Sequence, residues 1–506
     1  MLHVSLFIEL LRSRPRVTFW FATLAQAFVW WLLPSLFYSA PPGELADVLA
    51  LGHEFQLGTW RGPPLAYWMA EIAFRIAGMP GVYLLAQTCV ALAYWAVFAL
   101  ARAVVGIHHA VIAVALMIGV SAMTLPTPEF GPSVMAMPLT ALVVLHFWRA
   151  VGEGRRPSWF LLAVTIGLLL LTTYAGLILV TVLLVVLLAS ARGRATLRTV
   201  EPWMAGIVII VTLLPHIIWL DAGGSDGFVP AFLRRWREID PAADAGRWLR
   251  MLALLAIAHA GLVVLVVLSA GWWMRRPDTA PSFTRGVVGP FARRLVYLVA
   301  TIPALVATIV ATLAGERVSV GALAPHLMMS GLAAVVAAGP VIAIHRQRIV
   351  GFAWALLLLL PPAAMIAAIV TLPWVAGVEL KVATPASDMG RFFAESFERR
   401  TGRPLAVVAG EPQLAAVVAV GAPSRPSVYD YLRPDRTPWV TEADILANGA
   451  VVLWTAADTA GAPPPEIRAR FPDIVPELPR AFERAIQGRL PLTRIGWGVI
   501  RPRAAP

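Results

Sequence analysis

Ten runs of apolar residues, each long enough to cross a lipid bilayer, fill most of the first 376 residues, and they decide what this chain can fold into. They lie at about 17–38, 80–105, 109–125, 133–150, 159–191, 203–220, 248–273, 295–314, 321–344 and 349–376. A soluble fold has no interior large enough for them. The chain is 59% hydrophobic and 14% charged, against about 25% charged in an ordinary soluble domain. Hydrocarbon supplies no partner for backbone N–H and C=O groups, so such runs cross it as helices. The expected architecture is an all-α polytopic membrane bundle over residues 1–376, followed by a soluble α/β domain over 377–506.

The fifth run has 33 residues. As a single helix it would be about 50 Å long, against a hydrocarbon core of about 30 Å. Its centre also holds the polar triplet Thr172, Thr173 and Tyr174. It reads better as two short helices, which makes about eleven spans. The count sets the orientation of every later loop. With Arg12, Arg14 and Arg16 placing the N-terminus in the cytoplasm, eleven spans put 17 of the basic residues before residue 377 inside and 8 outside. Reading the fifth run as one span would turn the arginine-rich later loops outward. The C-terminal domain is therefore expected outside the cytoplasm, in the periplasm if the membrane is a bacterial inner membrane. The first run has no small-x-small cleavage site before it and reads as a retained helix.

The net charge of +12 comes almost wholly from arginine, Lys381 being the only lysine, so phosphate binding falls to Arg, His or backbone amides. Because the basic residues cluster in short loops between apolar runs, nucleic acid is not an expected partner. The lone Cys89 excludes an intrachain disulfide and any CxxC metal site. His146, His216, His259 and His326 are scattered without paired spacing and read as neutral, hydrogen-bonded imidazoles.

From about Gly377 the pattern becomes that of a soluble fold. Helix is expected over Ser387–Arg400, after Pro412 and near Glu466 and Pro479; strand over Leu405–Ala409, Ser427–Tyr429, Ala450–Trp454 and Ile495–Ile500. This domain carries no nucleophile elbow, phosphate loop or metal spacing.

The first external loop, residues 39–79, concentrates the acidic groups. Glu44, Asp47 and Glu54 lie within eleven residues with His53 among them, and an amphipathic stretch, Leu65–Ile76, carries Glu71 and Arg75 four apart. If the stretch from Gly43 is helical, Glu44 and Asp47 share a face. Such a carboxylate at the membrane boundary can act as a general base toward a hydroxyl. The same spacing also suits helix-start charges held by the helix dipole.

This loop resembles the first external loop of the family 39 glycosyltransferases, bacterial relatives of protein O-mannosyltransferases and of lipid A aminoarabinose and galacturonic acid transferases. Glu44 stands at the position of the family's catalytic aspartate, with Asp47 three later. Gly52-His53-Glu54-Phe55-Gln56-Leu57-Gly58 matches the stretch that follows, and Pro63-Pro64-Leu65 the next. Further on, Glu129 precedes Met137-Pro138-Leu139, and Leu214-Pro215-His216-Ile217-Ile218-Trp219 is similar to the family's seventh-span motif.

The resemblance implies a GT-C fold and transfer of a sugar, with inversion, from a polyprenyl-phosphate carrier to an envelope acceptor. Glu44 is then the first choice for the base and Asp47 the second. His53, Glu54 and Glu129 fall in substrate-binding positions. Arg61, Arg235, Arg237 and Arg247 are candidates for the lipid phosphate, although each is equally suited to anchoring on lipid headgroups. No cofactor is required, and no divalent metal is implied, because arginine can neutralise a lipid monophosphate.

Three departures stand out: Glu44 for Asp, Gly62 for the usual His, and Thr173 where relatives carry Lys. The alternatives are a transporter or flippase of lipid-linked substrates, and a non-catalytic lipid-binding relative.

Overall fold

The computed structural model describes residues 2–222, 241–270, 281–315, 319–456 and 461–503. The chain forms two compact units, one of Met1–Leu32, Arg61–Leu65 and Tyr83–Ala363, the other of Leu33–Trp60, Ala66–Val82 and Ala364–Pro506.

Apolar helices build the first unit. Among the described residues, six helices are long and apolar enough to cross a membrane: Pro15–Phe37, Leu65–Val105, Pro132–Gly152, Glu201–Asp221, Pro290–Leu313 and Gln347–Val375. Two bent pairs, Asp244–Ala258 with Ala260–Ala270 and Val320–Leu327 with Ser330–Ala337, pass the same test together, and three shorter apolar helices, Ile107–Met117, Ser158–Leu170 and Gly176–Ala189, accompany them. The helices differ in how much protein surrounds them. The apolar stretch of Pro132–Gly152 is 83% buried, whereas that of Glu201–Asp221 is 11% buried and presents Ile207, Ile210, Val211 and Ile218 outward. Water would not tolerate so bare an apolar helix; lipid does.

The 33-residue run is two helices, Ser158–Leu170 and Gly176–Ala189. Local side-chain bonds hold the break. Thr172 Oγ1 donates to the Leu168 carbonyl at 2.8 Å, and Thr173 Oγ1 accepts from the Ala175 amide at 3.2 Å. Threonine hydroxyls compete here with the helical ladder for backbone partners.

Leu65–Val105 is also interrupted. At 41 residues an unbroken helix would run about 60 Å, twice the bilayer core. Ala77 (φ −145°) and Gly78 (φ +60°) leave helical geometry, and Pro80 follows. Residues Ala66–Val82 belong to the second unit and residues from Tyr83 to the first.

The second unit is built on a sheet. A short antiparallel pair, β1 (Ser282–Thr284) with β2 (Val341–Ala343), lies in the first unit. The five strands of the second are β3 (Val407–Gly410), β4 (Ser427–Tyr429), β5 (Ala450–Thr455), β6 (Val475–Phe482) and β7 (Thr493–Ile500), in the order β4-β3-β5-β7-β6. β3 runs parallel to β4 and β5, and β7 antiparallel to β5 and β6. Strand alternation divides the core between two faces. Val408, Val451 and Leu453 face Phe393, Phe397 and Trp497, while Val407, Val452 and Trp454 face Tyr429, Ile467 and Phe471.

The expected strands and helices of this region are present except at Pro479, where the expected helix is strand β6. The correction has a simple cause. β6 is an edge strand with a register shift between Glu477 and Arg480, and an edge tolerates the missing N–H groups of Pro476 and Pro479. A helix not anticipated from the sequence, Glu442–Asn448, starts at a Thr441–Asp444 capping box.

This unit also extends beyond the composition change at residue 377. The amides of Ser39 and Ala40 donate to the Val382 carbonyl at 2.8 and 3.1 Å. Arg484 grips both carboxylate oxygens of Glu379 at 2.8 Å. Residues 39–60 and 66–79 of the first loop thus belong to one unit with the C-terminal sheet.

Candidate functional site

The acidic loop begins its helix at Leu45, two residues later than a start at Gly43 would have it. Gly43 (φ +54°) turns the chain, the Leu45 amide bonds the Pro42 carbonyl at 3.0 Å, and Glu44 occupies the N-cap without a side-chain capping bond. The helix Leu45–His53 buries Leu45, Ala46, Val48, Leu49, Leu51 and Gly52. That face leaves Glu44 exposed at the N-cap and Asp47 half-exposed in the first turn, where the helix dipole favours carboxylates. Gly52 permits a close crossing: a Cβ there would collide with the Tyr67 carbonyl oxygen and lie 3.2 Å from Glu71 Cβ.

Below this crossing lies a cluster of charges. Glu71 is 1% exposed, with His53 Nδ1 at 3.1 Å and Arg75 Nε at 2.9 Å from one oxygen and Arg425 Nη2 at 2.6 Å from the other. Glu71 and Arg75 form the pair their spacing suggests, with the carboxylate in the interior. The guanidinium of Arg425 also donates to the Leu49 carbonyl at 3.3 Å and lies 4.5 Å from the Phe74 ring centre. Trp68 Nε1 donates to the Gln56 carbonyl at 2.9 Å, tying the end of the loop to the same helix.

Glu54 sits beside this cluster. Burial pushes its carboxyl above the ordinary range and Glu71 adds to the rise, while a hydrogen bond with Ser427 and the charges of His53 and Arg425 oppose it. The folded state therefore keeps a proton that the unfolded chain has lost, and stability falls as pH rises from about 4.5 through the folded value. Glu54→Gln should remove that slope. Thermal unfolding of the variant from pH 4 to 8 should show unfolding temperatures at or above wild type at neutral pH, with the gap closing toward acid; a variant less stable at pH 7 than at pH 4 relative to wild type contradicts this.

In the first unit, the Leu65 amide donates to the Leu171 carbonyl at 3.0 Å, which rests the Arg61–Leu65 segment on the break between the two short helices. Gly62 (φ +140°) faces the Tyr174 ring, so the two departures Gly62 and Thr173 fall in one neighbourhood. Tyr174 Oη lies 2.8 Å from His216 Nε2, joining the Thr-Thr-Tyr break to the Leu-Pro-His motif, and His216 stacks on Trp219. Thr173 also lines a small cavity with Ser133, Thr140 and His326, among mostly apolar neighbours that include Leu169, Leu179 and Pro325.

Glu129 is exposed on a turn built by Thr124 and Thr127, and Gln87 Nε2 donates to Thr127 Oγ1 at 3.1 Å to hold it. Arg247 is met by Asp244 at 2.6 Å on the same helix, so part of its charge is already neutralised. Arg235 and Arg237, with Arg234, lie outside the described residues. Among the described residues no three His, Cys, Asp or Glu side chains come together as a metal site.

The structure thus brings His53 and Glu54 together and keeps Glu44 and Asp47 at the cap and in the first turn of one helix. It places Arg61, Glu129 and Arg247 in the first unit. Sequence reasoning missed Arg425 and the interior position of Glu71. A glutamate in a stretch with Ala66, Ala70 and Ala73 was a signal for the latter; nothing local marks Arg425.

Residues 61–219 match the dolichyl-phosphate-mannose-protein mannosyltransferase family. The matched segment opens at Arg61, downstream of Glu44 and Asp47. The whole chain has the fold of ArnT from Cupriavidus metallidurans in its apo state, with a TM-score of 0.54 and 13% identity over 96% of this chain and 97% of that one. The same protein bound to undecaprenyl phosphate matches with a TM-score of 0.54 and 14% identity, over the same shares of both chains. No curated protein matches the chain by sequence.

Proposed function

We propose that this chain, a family 39-like glycosyltransferase of GT-C fold, transfers a sugar from a polyprenyl-phosphate carrier to a hydroxyl acceptor of the cell envelope on the periplasmic face. The observation that carries the reading is the pair Glu44 and Asp47, one exposed at the cap and the other half-exposed in the first turn of one helix, in a chain whose fold is that of a protein solved with undecaprenyl phosphate. We read eleven crossings, counting the three short apolar helices with the six long ones and the two bent pairs, with the second unit outside the cytoplasm.

An acceptor hydroxyl has a high pKa and needs its proton removed as it attacks. Glu44 takes that proton, with Asp47 beside it. The acceptor oxygen forms its bond to the anomeric carbon from the face opposite the phosphate, the bond from that carbon to the phosphate oxygen breaks, and the configuration inverts. The departing lipid phosphate gains charge, which guanidinium groups stabilise. Arg61, Arg235, Arg237 and Arg247 are the candidates, Arg247 being also bonded to Asp244. The small cavity beside Thr173 has no lysine or arginine in its lining, so it offers no fixed cation to a phosphate.

The test is a comparison of envelope glycolipids and glycans from cells with and without the gene. Loss of one glycoconjugate, and its return when the gene is restored, would name the sugar and the acceptor together. Identical envelopes under conditions where the protein is present in the membrane would remove the transferase reading.

A further inference from the structure

Arg425 lies in the short connection between the helix Pro412–Gly421 and β4, far in sequence from the acidic loop. Its backbone is left-handed (φ +48°), which a residue with a Cβ adopts at a cost of about 1–3 kcal/mol. Its guanidinium is 16% exposed and is held by Glu71, by the Leu49 carbonyl and by the face of Phe74. Strain and burial of a cation are both unfavourable, and surface loops ordinarily avoid them. Here both serve one geometry. Glu71 contacts His53 at the end of the helix Leu45–His53, and Arg425 bonds the carbonyl of Leu49 in its middle. The helix that carries Asp47, and Glu44 at its cap, is therefore tethered at two points through one arginine–glutamate pair.

We propose that Arg425 is a positioning residue for the acidic loop, so that the C-terminal sheet is a working part of the transferase and not an appended module; this rests on the transferase reading above. Arg425 does not touch the reacting atoms. It fixes where the base stands, and a shift of about 1 Å in such a group can cost about a hundredfold in rate.

The test uses the full-length protein. Arg425→Ala should lower transfer about a hundredfold, and Arg425→Lys, which keeps the charge but loses the fork, should recover part of that loss. Hydrogen exchange in detergent separates positioning from collapse. In Arg425→Ala, amides of Leu45–His53 should exchange at least about tenfold faster while those of β3, β5 and β7 keep their protection, and added guanidinium ion should slow the loop again.

Wild-type transfer by Arg425→Ala, or reduced transfer with unaltered exchange in Leu45–His53, would overturn the proposal. If Arg425→Ala loses protection throughout the sheet, Arg425→Lys decides: wild-type transfer and exchange by that variant would overturn it equally. If deleting the gene leaves the envelope unchanged, the transferase reading falls on that result alone, and the exchange data separately decide whether Arg425 holds the loop.

Discussion

Glu44→Gln is expected to reduce sugar transfer by about 10²- to 10⁴-fold, the range that a positioned general base contributes. The change should leave folding nearly untouched. Glu44 is exposed, and Gln has the same shape and keeps a hydrogen-bonding side chain. Asp47→Asn should lose less activity if Asp47 only supports the base, and its stability cost should stay within about 0.3–1 kcal/mol, the value of a carboxylate in a first helical turn. Glu44→Asp is informative because it restores the residue type that the first loop's resemblance implies at this position. It shortens the reach by one methylene and should retain much of the transfer that Gln removes. The measurement is the amount of the affected glycoconjugate in cells carrying each variant, normalised to protein in the membrane. A Glu44→Gln, Asp47→Asn double variant that transfers at the wild-type rate would end the assignment of both residues.

Glu71→Ala should produce the largest loss of stability among single changes in the second unit. Removing the carboxylate leaves Arg425 and Arg75 without their shared counter-charge beside a half-buried His53. Breaking one partner out of a buried pair costs about 3–5 kcal/mol. In a unit of this size that corresponds to a fall of roughly 10 °C in unfolding temperature. Glu71→Gln keeps the shape and some hydrogen bonding, so it should fall between wild type and Ala. Tryptophan fluorescence during heating is a suitable probe, since Trp454 and Trp497 are buried in the sheet core of the same unit. A change below about 0.5 kcal/mol, the usual range for exposed sites, would show that the pair contributes little net stability.

The Glu71 cluster and the acidic helix were not equally legible in the amino-acid sequence. Glu44 and Asp47 announced themselves by position: acidic residues just after the first apolar run, at a helix start. Their place at the cap and in the first turn followed from local propensity and needed no tertiary information. The break in the 33-residue run was legible too, because two adjacent threonines and a tyrosine interrupt a run too long for one crossing. The capping-box pattern from Thr441 to Asp444 was also present in consecutive residues, whereas Pro479 points to a helix start unless the strand is known to be an edge. Which strand is an edge depends on the pairing of β6 with β7 alone, and pairing is a property of the folded sheet.

What the sequence determined by itself is the set of apolar segments, their breaks, and the accumulation of acid in the first external loop. These follow from hydrophobicity and helix geometry, which act over one or two turns and are written in consecutive residues. Only the tertiary structure decided that the C-terminal sheet and most of the first loop belong to one unit, and that Glu71 is buried with Arg425 as its counter-charge. The two residues are separated by 354 positions. A buried ion pair is specified by the packing that excludes water around both charges, and no local pattern in the chain carries that information.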